Sequence, residues 1–146
     1  MGAAVNEHPE LFRDVIFTNC FLDVKKTMEN PNLFLTEHEF DEFGDPARDK
    51  RAADVISTYC PVSTAVDQAK EQTSRFLIIG ALDDMQTPFW NALVYGRLMR
   101  ERSRAKNRVF IHIESHGGHH LQLHVAAMEA AFILYRVSYF GIKIDH

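Results

Sequence analysis

The sequence predicts an α/β fold built on a mainly parallel sheet, and three observations predict it. Strand-like and helix-like segments alternate along the 146 residues, as in parallel sheets whose strands are joined by helices. The segment RFLIIGAL, residues 75–82, is apolar throughout, which is typical of a central strand covered on both faces. Polar loops follow the strands at their carboxyl ends.

The first fifty residues predict one strand and several short helices. AAVNEHPELF is typical of a helix that stops near Pro9, because the residue before a proline disfavours helical geometry. RDVIFTNC then supplies a short apolar strand, and LDVKKTMEN has helical spacing. Residues 30–50 are acidic and rich in turn-forming residues. Within them, Phe40 and Phe43 lie one turn apart on a predicted short helix.

Predicted strands and helices alternate more clearly in the second half of the chain. After RFLIIGAL, Thr87 is predicted to cap a helix that holds Pro88 in its first turn. RVFIHI, residues 108–113, is the next strand, and the loop ESHGGHH follows it. The last helix, LQLHVAAMEAAFILYRVSYF, is apolar on most sides, so we expect it to be well buried. With no repeat or linker, residues 1–146 are predicted to form one domain.

Composition excludes several classes of partner. The net charge is −4 and both signs are mixed along the chain, so no basic surface for nucleic acid is predicted. The apolar runs are too short for a membrane span or contain a charge. Cys20 and Cys60 are too few for a disulfide framework. We expect them to be buried thiols in a reducing compartment, and the protein to be cytoplasmic.

Reactive side chains follow two of the predicted strands. Asp83 and Asp84 come directly after LIIGAL, and His116, His119 and His120 come after VFIHI. In open α/β sheets, ligands bind at the carboxyl ends of the strands. A carboxylate on one strand end and a histidine on a later one match the Asp-then-His part of an α/β-hydrolase triad, in which the order is Ser, Asp, His.

The serine of such a triad is not found in these residues. The nucleophile requires a G-x-S-x-G turn, because small neighbours permit the strained bend between strand and helix. No serine of the chain has that setting. We therefore expect the serine to lie upstream of Met1. On that expectation, residues 1–146 are a partial α/β-hydrolase domain that is inactive alone and exposes apolar surface and a sheet edge.

Five motifs together carry a family resemblance. FLDVKKTM resembles F-x-D-V-x-x-T-M, and LTEHEFDEFGDP resembles L-T-x-x-E-[aromatic]-E-E-[aromatic]-G-N-P. YCP resembles a Tyr-x-Pro segment, GALDD a G-x-x-D segment, and IHIESHGGHH a strand and its histidine loop. These motifs are similar to the carboxyl-terminal part of the catalytic domain of prolyl oligopeptidase-type serine peptidases, especially the oligopeptidase B branch. The resemblance covers nearly the whole chain and is most specific over residues 9–46.

The resemblance implies catalytic roles for two residues. It places the catalytic acid at Asp83 and the catalytic histidine at His119. His116 and His120 remain alternatives, because the histidine loop is shorter downstream than in many relatives. An ordinary acidic loop residue is the other interpretation of Asp83, and Asp84 is interpreted as a solvated neighbour.

The resemblance also implies a substrate. In oligopeptidase B, two acids at the positions of Glu39 and Asp41 are thought to hold a basic side chain, and guanidinium groups pair well with carboxylates. A solvated acidic helix is an equally weighted interpretation of these two residues. The complete enzyme is expected to cleave short peptides after Lys or Arg and to carry an amino-terminal β-propeller. One departure, Met85 where the family usually has arginine, favours a second hypothesis: a non-catalytic binding protein.

A metal site is the third hypothesis. His116, His119, His120 and His124 lie close together in the sequence, and His120 and His124 could share a helix face at i, i+4. No glutamate stands between them as in H-E-x-x-H, and spacing specifies no third ligand. The sequence therefore ranks metal below the triad, and no cofactor is predicted.

Overall fold

Three parallel strands form the centre of the computed structural model, which describes residues 1–33, 36–104, 106–120 and 122–139. The strands are β1 (Asp14–Thr18), β2 (Arg75–Ala81) and β3 (Val109–Glu114), and they lie side by side in that order. Every residue of β2 is buried. The predicted central strand is therefore confirmed within the described sheet.

Helices connect and cover these strands. Those that the structure describes are α1 (Gly2–Glu7), α2 (Val24–Met28), α3 (Phe40–Phe43), α4 (Lys50–Tyr59), α5 (Pro61–Gln68), α6 (Trp90–Arg102) and α7 (Leu123–Tyr139). The sequence pattern predicted all of these except α4 and α5. The predicted limits of α7, Leu121 and Phe140, lie outside the described residues.

One face of the sheet packs against α1, α5 and α6. Its centre is a group of three aromatic side chains, Phe17, Phe76 and Tyr95. The rings of Phe17 and Tyr95 meet edge to face with their centroids 5.6 Å apart, a favourable geometry for aromatic pairs. Burial of these large apolar surfaces supplies much of the stability on this face.

The other face packs against α7 through one side of that helix. Val125 is buried against Leu77 and Ile79, and Phe132 packs at the edge of this cluster. The expectation that this helix is buried on most sides is wrong for the described residues. Its other faces carry exposed apolar side chains, including Leu123 and Tyr135, because the sheet covers only one side of the helix.

Neither thiol is paired, and the described residues include no candidate for a membrane-spanning helix. Cys60 is buried and Cys20 is half-buried, and burial raises the pKa of the Cys20 thiol. Across the described residues, no helix combines the length and the hydropathy that a bilayer-spanning segment requires.

Removal of one buried hydroxyl should destabilise this fold. The Tyr95 hydroxyl donates a hydrogen bond of 2.7 Å to Oδ1 of Asn6, and burial raises the pKa of Tyr95, so it remains a donor. In Tyr95→Phe the buried Asn6 oxygen loses its donor, which should lower the free energy of unfolding by about 1–3 kcal/mol. Urea titration measures the change. The control is Tyr135→Phe, since Tyr135 is 69 % exposed; equal effects of the two substitutions would contradict this account.

Candidate active site

The ends of β2 and β3 bring two loops together. The strands are adjacent and parallel, with Ala81 opposite Glu114. The Leu82 N–H then donates a hydrogen bond of 2.9 Å to the Glu114 carbonyl, which extends the pairing beyond β2. The loop with the two aspartates and the loop with the histidines therefore begin side by side at one edge of the sheet, where α/β folds bind their ligands.

An imidazole and a carboxylate meet at this edge. Nδ1 of His119 lies 2.9 Å from Oδ2 of Asp84. The Asp84 side chain is fully buried, whereas that of His119 is 37 % exposed. A carboxylate in this position favours the tautomer with the proton on Nδ1, which leaves Nε2 free to accept a proton. The pair thus combines a sheltered acid with an accessible base.

The Asp84 carboxylate is held in place by its own loop. Oδ1 accepts hydrogen bonds from the backbone N–H groups of Gln86, at 2.8 Å, and Thr87, at 3.0 Å. The Thr87 hydroxyl lies 2.9 Å from Oδ2 of Asp84, 2.9 Å from the Asn19 carbonyl and 3.2 Å from Nδ1 of His119. This leaves Oδ2 facing the imidazole. Thr87 does not cap α6 as predicted, because that helix begins at Trp90 with Phe89 as its N-cap.

Asp83, which the sequence favoured as the partner of His119, contacts the loop backbone instead. Its two carboxylate oxygens accept hydrogen bonds from the backbone N–H groups of Gly117, at 3.2 Å, and Gly118, at 2.8 Å. The Gly118 hydrogen bond is the largest of the causes that lower the pKa of Asp83. Gly117 and Gly118 have φ of +129° and +58°, and glycine adopts such values at little cost. Asp83 therefore positions the histidine loop, while Asp84 contacts the imidazole.

The other two loop histidines occupy different surroundings. All three loop histidines are exposed to solvent, so exposure does not distinguish them. Of the three loop histidines, His119 is the one whose ring meets a buried carboxylate in the part of the chain that the structure describes. The alternative of His116 or His120 as the base has no comparable geometry there.

An acidic cavity opens beside this pair. It has a volume of about 190 Å³. The residues that line it include two glutamates, one at the N-cap of α3 and one within α3, together with apolar, hydroxyl and amide side chains: Phe21, Thr27, Met28, Thr36, Glu39, Glu42, Phe43, Gln86 and Thr87. Thr87 also touches the carboxylate of Asp84. The cavity therefore lies next to the pair formed by His119 and Asp84.

The structure brings only one of the two predicted acids into this cavity. Glu39 is half-buried and lines it, whereas Asp41 is not among its lining residues. Glu42, which the sequence analysis did not single out, lines the cavity instead. Residues three apart share a face of a helical turn, and residues two apart do not. The i, i+3 spacing of Glu39 and Glu42 on a short helix was the signal that could have identified Glu42.

Comparisons with known proteins give a consistent result. The family model described as the prolyl oligopeptidase family matches residues 1–138. Dipeptidyl aminopeptidase BI of Pseudoxanthomonas mexicana is 34% identical over 119 residues, which cover 82% of this chain and 16% of that relative. A prolyl endopeptidase-like protein of Xenopus laevis is 34% identical over 103 residues, covering 70% of this chain and 14% of the relative. The chain therefore spans about a sixth of the length of these curated relatives.

Two solved structures share this fold. Oligopeptidase B from Trypanosoma brucei, with covalently bound antipain, superposes with a TM-score of 0.82 at 26% identity, over 94% of this chain and 20% of that chain. Oligopeptidase B from Leishmania major gives a TM-score of 0.71 at 27% identity, over 82% of this chain and 16% of that chain. Together with the parallel sheet and its flanking helices, this agreement confirms the predicted partial α/β-hydrolase fold.

Proposed function

The chain belongs to the prolyl oligopeptidase family of serine peptidases, and on that premise we propose that it supplies the histidine and the acid of a Ser-Asp-His triad. The observation that carries the proposal is the 2.9 Å contact between Nδ1 of His119 and the buried carboxylate of Asp84. The reaction is hydrolysis of a peptide bond. The acid in this proposal is Asp84, in place of the Asp83 expected from the family resemblance.

The geometry supports a two-stage mechanism. The serine oxygen attacks the carbonyl carbon of the substrate while Nε2 of His119 takes the serine proton, and Asp84 stabilises the imidazolium that forms. His119 then gives that proton to the departing amine, which leaves an acyl-enzyme. Water attacks the acyl-enzyme with His119 again as the base, and the serine is regenerated.

The serine and the remaining strands of the sheet are proposed to come from residues before Met1. No G-x-S-x-G turn occurs in the 146 residues, and the chain order of the fold places that turn ahead of the aspartate. An amino-terminal β-propeller and a cytoplasmic location remain predictions from the sequence.

The acidic cavity supports a preference for substrates with Lys or Arg before the cleaved bond. Glu39 and Glu42 both line it, and among the residues that the structure describes its lining includes no lysine or arginine. A guanidinium or ammonium group entering this cavity would donate charge-assisted hydrogen bonds to the carboxylates. Its position beside Thr87 would leave the next peptide bond of the substrate near His119.

Replacing the glutamates of the cavity by uncharged residues should lower activity on peptides with a basic residue before the cleaved bond. In the full-length protein, Glu39→Gln and Glu42→Gln should each lower kcat/KM for peptides with Arg at the cleaved bond by about tenfold or more, since a hydrogen bond to a charged group contributes about 1.5–3 kcal/mol. Activity on peptides with an uncharged residue there should be nearly unchanged. Asp41→Asn is the matched control, with a smaller effect on the Arg peptides. Equal losses on charged and uncharged peptides, or a larger loss in Asp41→Asn, would contradict the cavity's role.

A non-catalytic binding protein is the second candidate function, and one observation favours it. The family usually has an arginine two residues after the catalytic acid. That position is Met85 if the acid is Asp83 and Gln86 if it is Asp84, so neither assignment provides the arginine. A fluorophosphonate probe, which labels activated serines, separates the two candidates. Labelling of the full-length protein supports the peptidase, and a folded protein that resists labelling and cleaves no peptide supports the binding protein.

A further inference from the structure

Three metal-ligating side chains converge behind the histidine loop. His112 and Glu114 lie two residues apart on β3 and therefore share one face of the strand. His124 lies in the first turn of α7, which packs over that face. The Glu114 carboxylate hydrogen-bonds both imidazoles, and its Oε1 lies 2.7 Å from Nε2 of His124. One ligand atom from each of the three residues lies within 4.8 Å of the others.

We propose that His112, Glu114 and His124 form a binding site for a divalent transition metal, with zinc as the preferred ion. Two imidazole nitrogens and a carboxylate oxygen suit zinc, whereas calcium and magnesium prefer oxygen ligands alone. Ligands of a tetrahedral zinc ion lie about 3.3 Å from one another, given metal–ligand distances of about 2.0–2.2 Å. Oε1 of Glu114 and Nε2 of His124 lie 2.7 Å apart, so these two ligand atoms would have to separate by about 0.6 Å to reach that spacing.

The surroundings of the cluster fit an ion that enters from solvent. The Glu114 side chain is only 15 % exposed, and that of His124 is 60 % exposed. Within the described residues, the ion pairs of Glu114 are with the two imidazoles, which carry charge only when protonated. A divalent ion would place a positive charge beside this sheltered carboxylate. The exposed side leaves a fourth position for water.

This site differs from the one that the sequence suggested. Of the four histidines considered there, only His124 belongs to the cluster, and the other two ligands come from β3. The site is also distinct from the pair formed by His119 and Asp84. Its ligands flank the loop, however, because Glu114 ends β3 and His124 begins α7. A bound ion would hold together the two ends of residues 115–123, the segment that carries His119.

Zinc binding can be measured without any enzymatic activity. Titration of Zn²⁺ into the purified protein by calorimetry should show one site, and Co²⁺ should give the visible absorption of tetrahedral coordination. Loss of groups that only orient a metal ligand lowers affinity about 10–100-fold, so removal of a ligand in His124→Ala should lower it by at least about tenfold. Glu114→Gln should have a similar effect. His120→Ala, an exposed histidine of the same loop outside the cluster, should bind Zn²⁺ like the wild type.

The His124→Ala and His120→Ala variants test whether zinc binds at the proposed cluster. His124 is on the surface, so His124→Ala should keep its fold, and a circular dichroism melt without metal verifies this. A folded His124→Ala protein that binds Zn²⁺ as tightly as the wild type would overturn the site. Loss of binding in His120→Ala but not in His124→Ala would overturn it too, as would a wild-type protein that binds no zinc. None of these results bears on whether His119 acts in peptide hydrolysis.

Discussion

His119→Ala is expected to abolish peptide hydrolysis in the full-length protein and to prevent labelling of its serine by a fluorophosphonate probe. The serine of a triad is a weak nucleophile until a base takes its proton, and His119 is the loop imidazole held by a buried carboxylate. Loss of the histidine from a Ser-Asp-His triad lowers kcat by as much as about 10⁶-fold. The rate of probe labelling and kcat on a peptide substrate both measure this loss.

Two neighbouring histidines provide matched controls for that experiment. His116→Ala and His120→Ala remove the same ring from the same loop, but within the described residues it is the ring of His119 that contacts the buried carboxylate of Asp84. Each should keep kcat within a few-fold of the wild-type value, because surface substitutions away from a site have small effects. If His119→Ala still labels while one of the other two variants does not, the base has been assigned to the wrong residue.

Much of the fold could be predicted because it depends on local pattern. The continuous apolar run of β2 has few structural alternatives to a buried central strand. The adjacency of its loop to the histidine loop follows from the pairing of parallel strands. By contrast, α4 and α5 were not predicted, because both contain several Val, Ser, Thr and Asp residues, which are weak helix formers. The burial of α7 was overestimated, because an apolar sequence shows what a helix can bury and not how many layers surround it.

The contacts within the candidate site could be predicted only in part from the sequence. Asp83 and Asp84 are chemically identical neighbours, and a motif match cannot determine which one turns toward the imidazole. The bonds that decide it involve backbone N–H groups: those of Gln86 and Thr87 fix Asp84, and those of the histidine loop engage Asp83. Such bonds depend on loop conformation and leave little trace in residue spacing. The metal cluster was missed for a related reason, because its ligands come from a strand and a helix separated by the loop.

The different roles of the two aspartates predict losses of very different size when each carboxylate is replaced by an amide. Asp84→Asn should lower kcat by about 10⁴-fold in the full-length protein, as expected when the carboxylate of a triad becomes an amide and stabilises the wrong imidazole tautomer. Asp83→Asn should lower kcat by about tenfold at most, since its charge-assisted bonds to Gly117 and Gly118 hold the loop and do not touch the ring.

Nitrogen-15 NMR of the His119 ring tests this assignment without relying on turnover. The carboxylate of Asp84 accepts a hydrogen bond from the Nδ1–H group, so the wild-type ring should carry its proton on Nδ1 when neutral. In Asp84→Asn the side-chain amide can donate to Nδ1, and the proton should move to Nε2, whereas Asp83→Asn should leave the tautomer unchanged. If Asp83→Asn shifts the tautomer and Asp84→Asn does not, Asp83 is the triad acid after all. The buried position of Asp84 supports its assignment as the triad acid, because a buried carboxylate interacts more strongly with an imidazolium than an exposed one does.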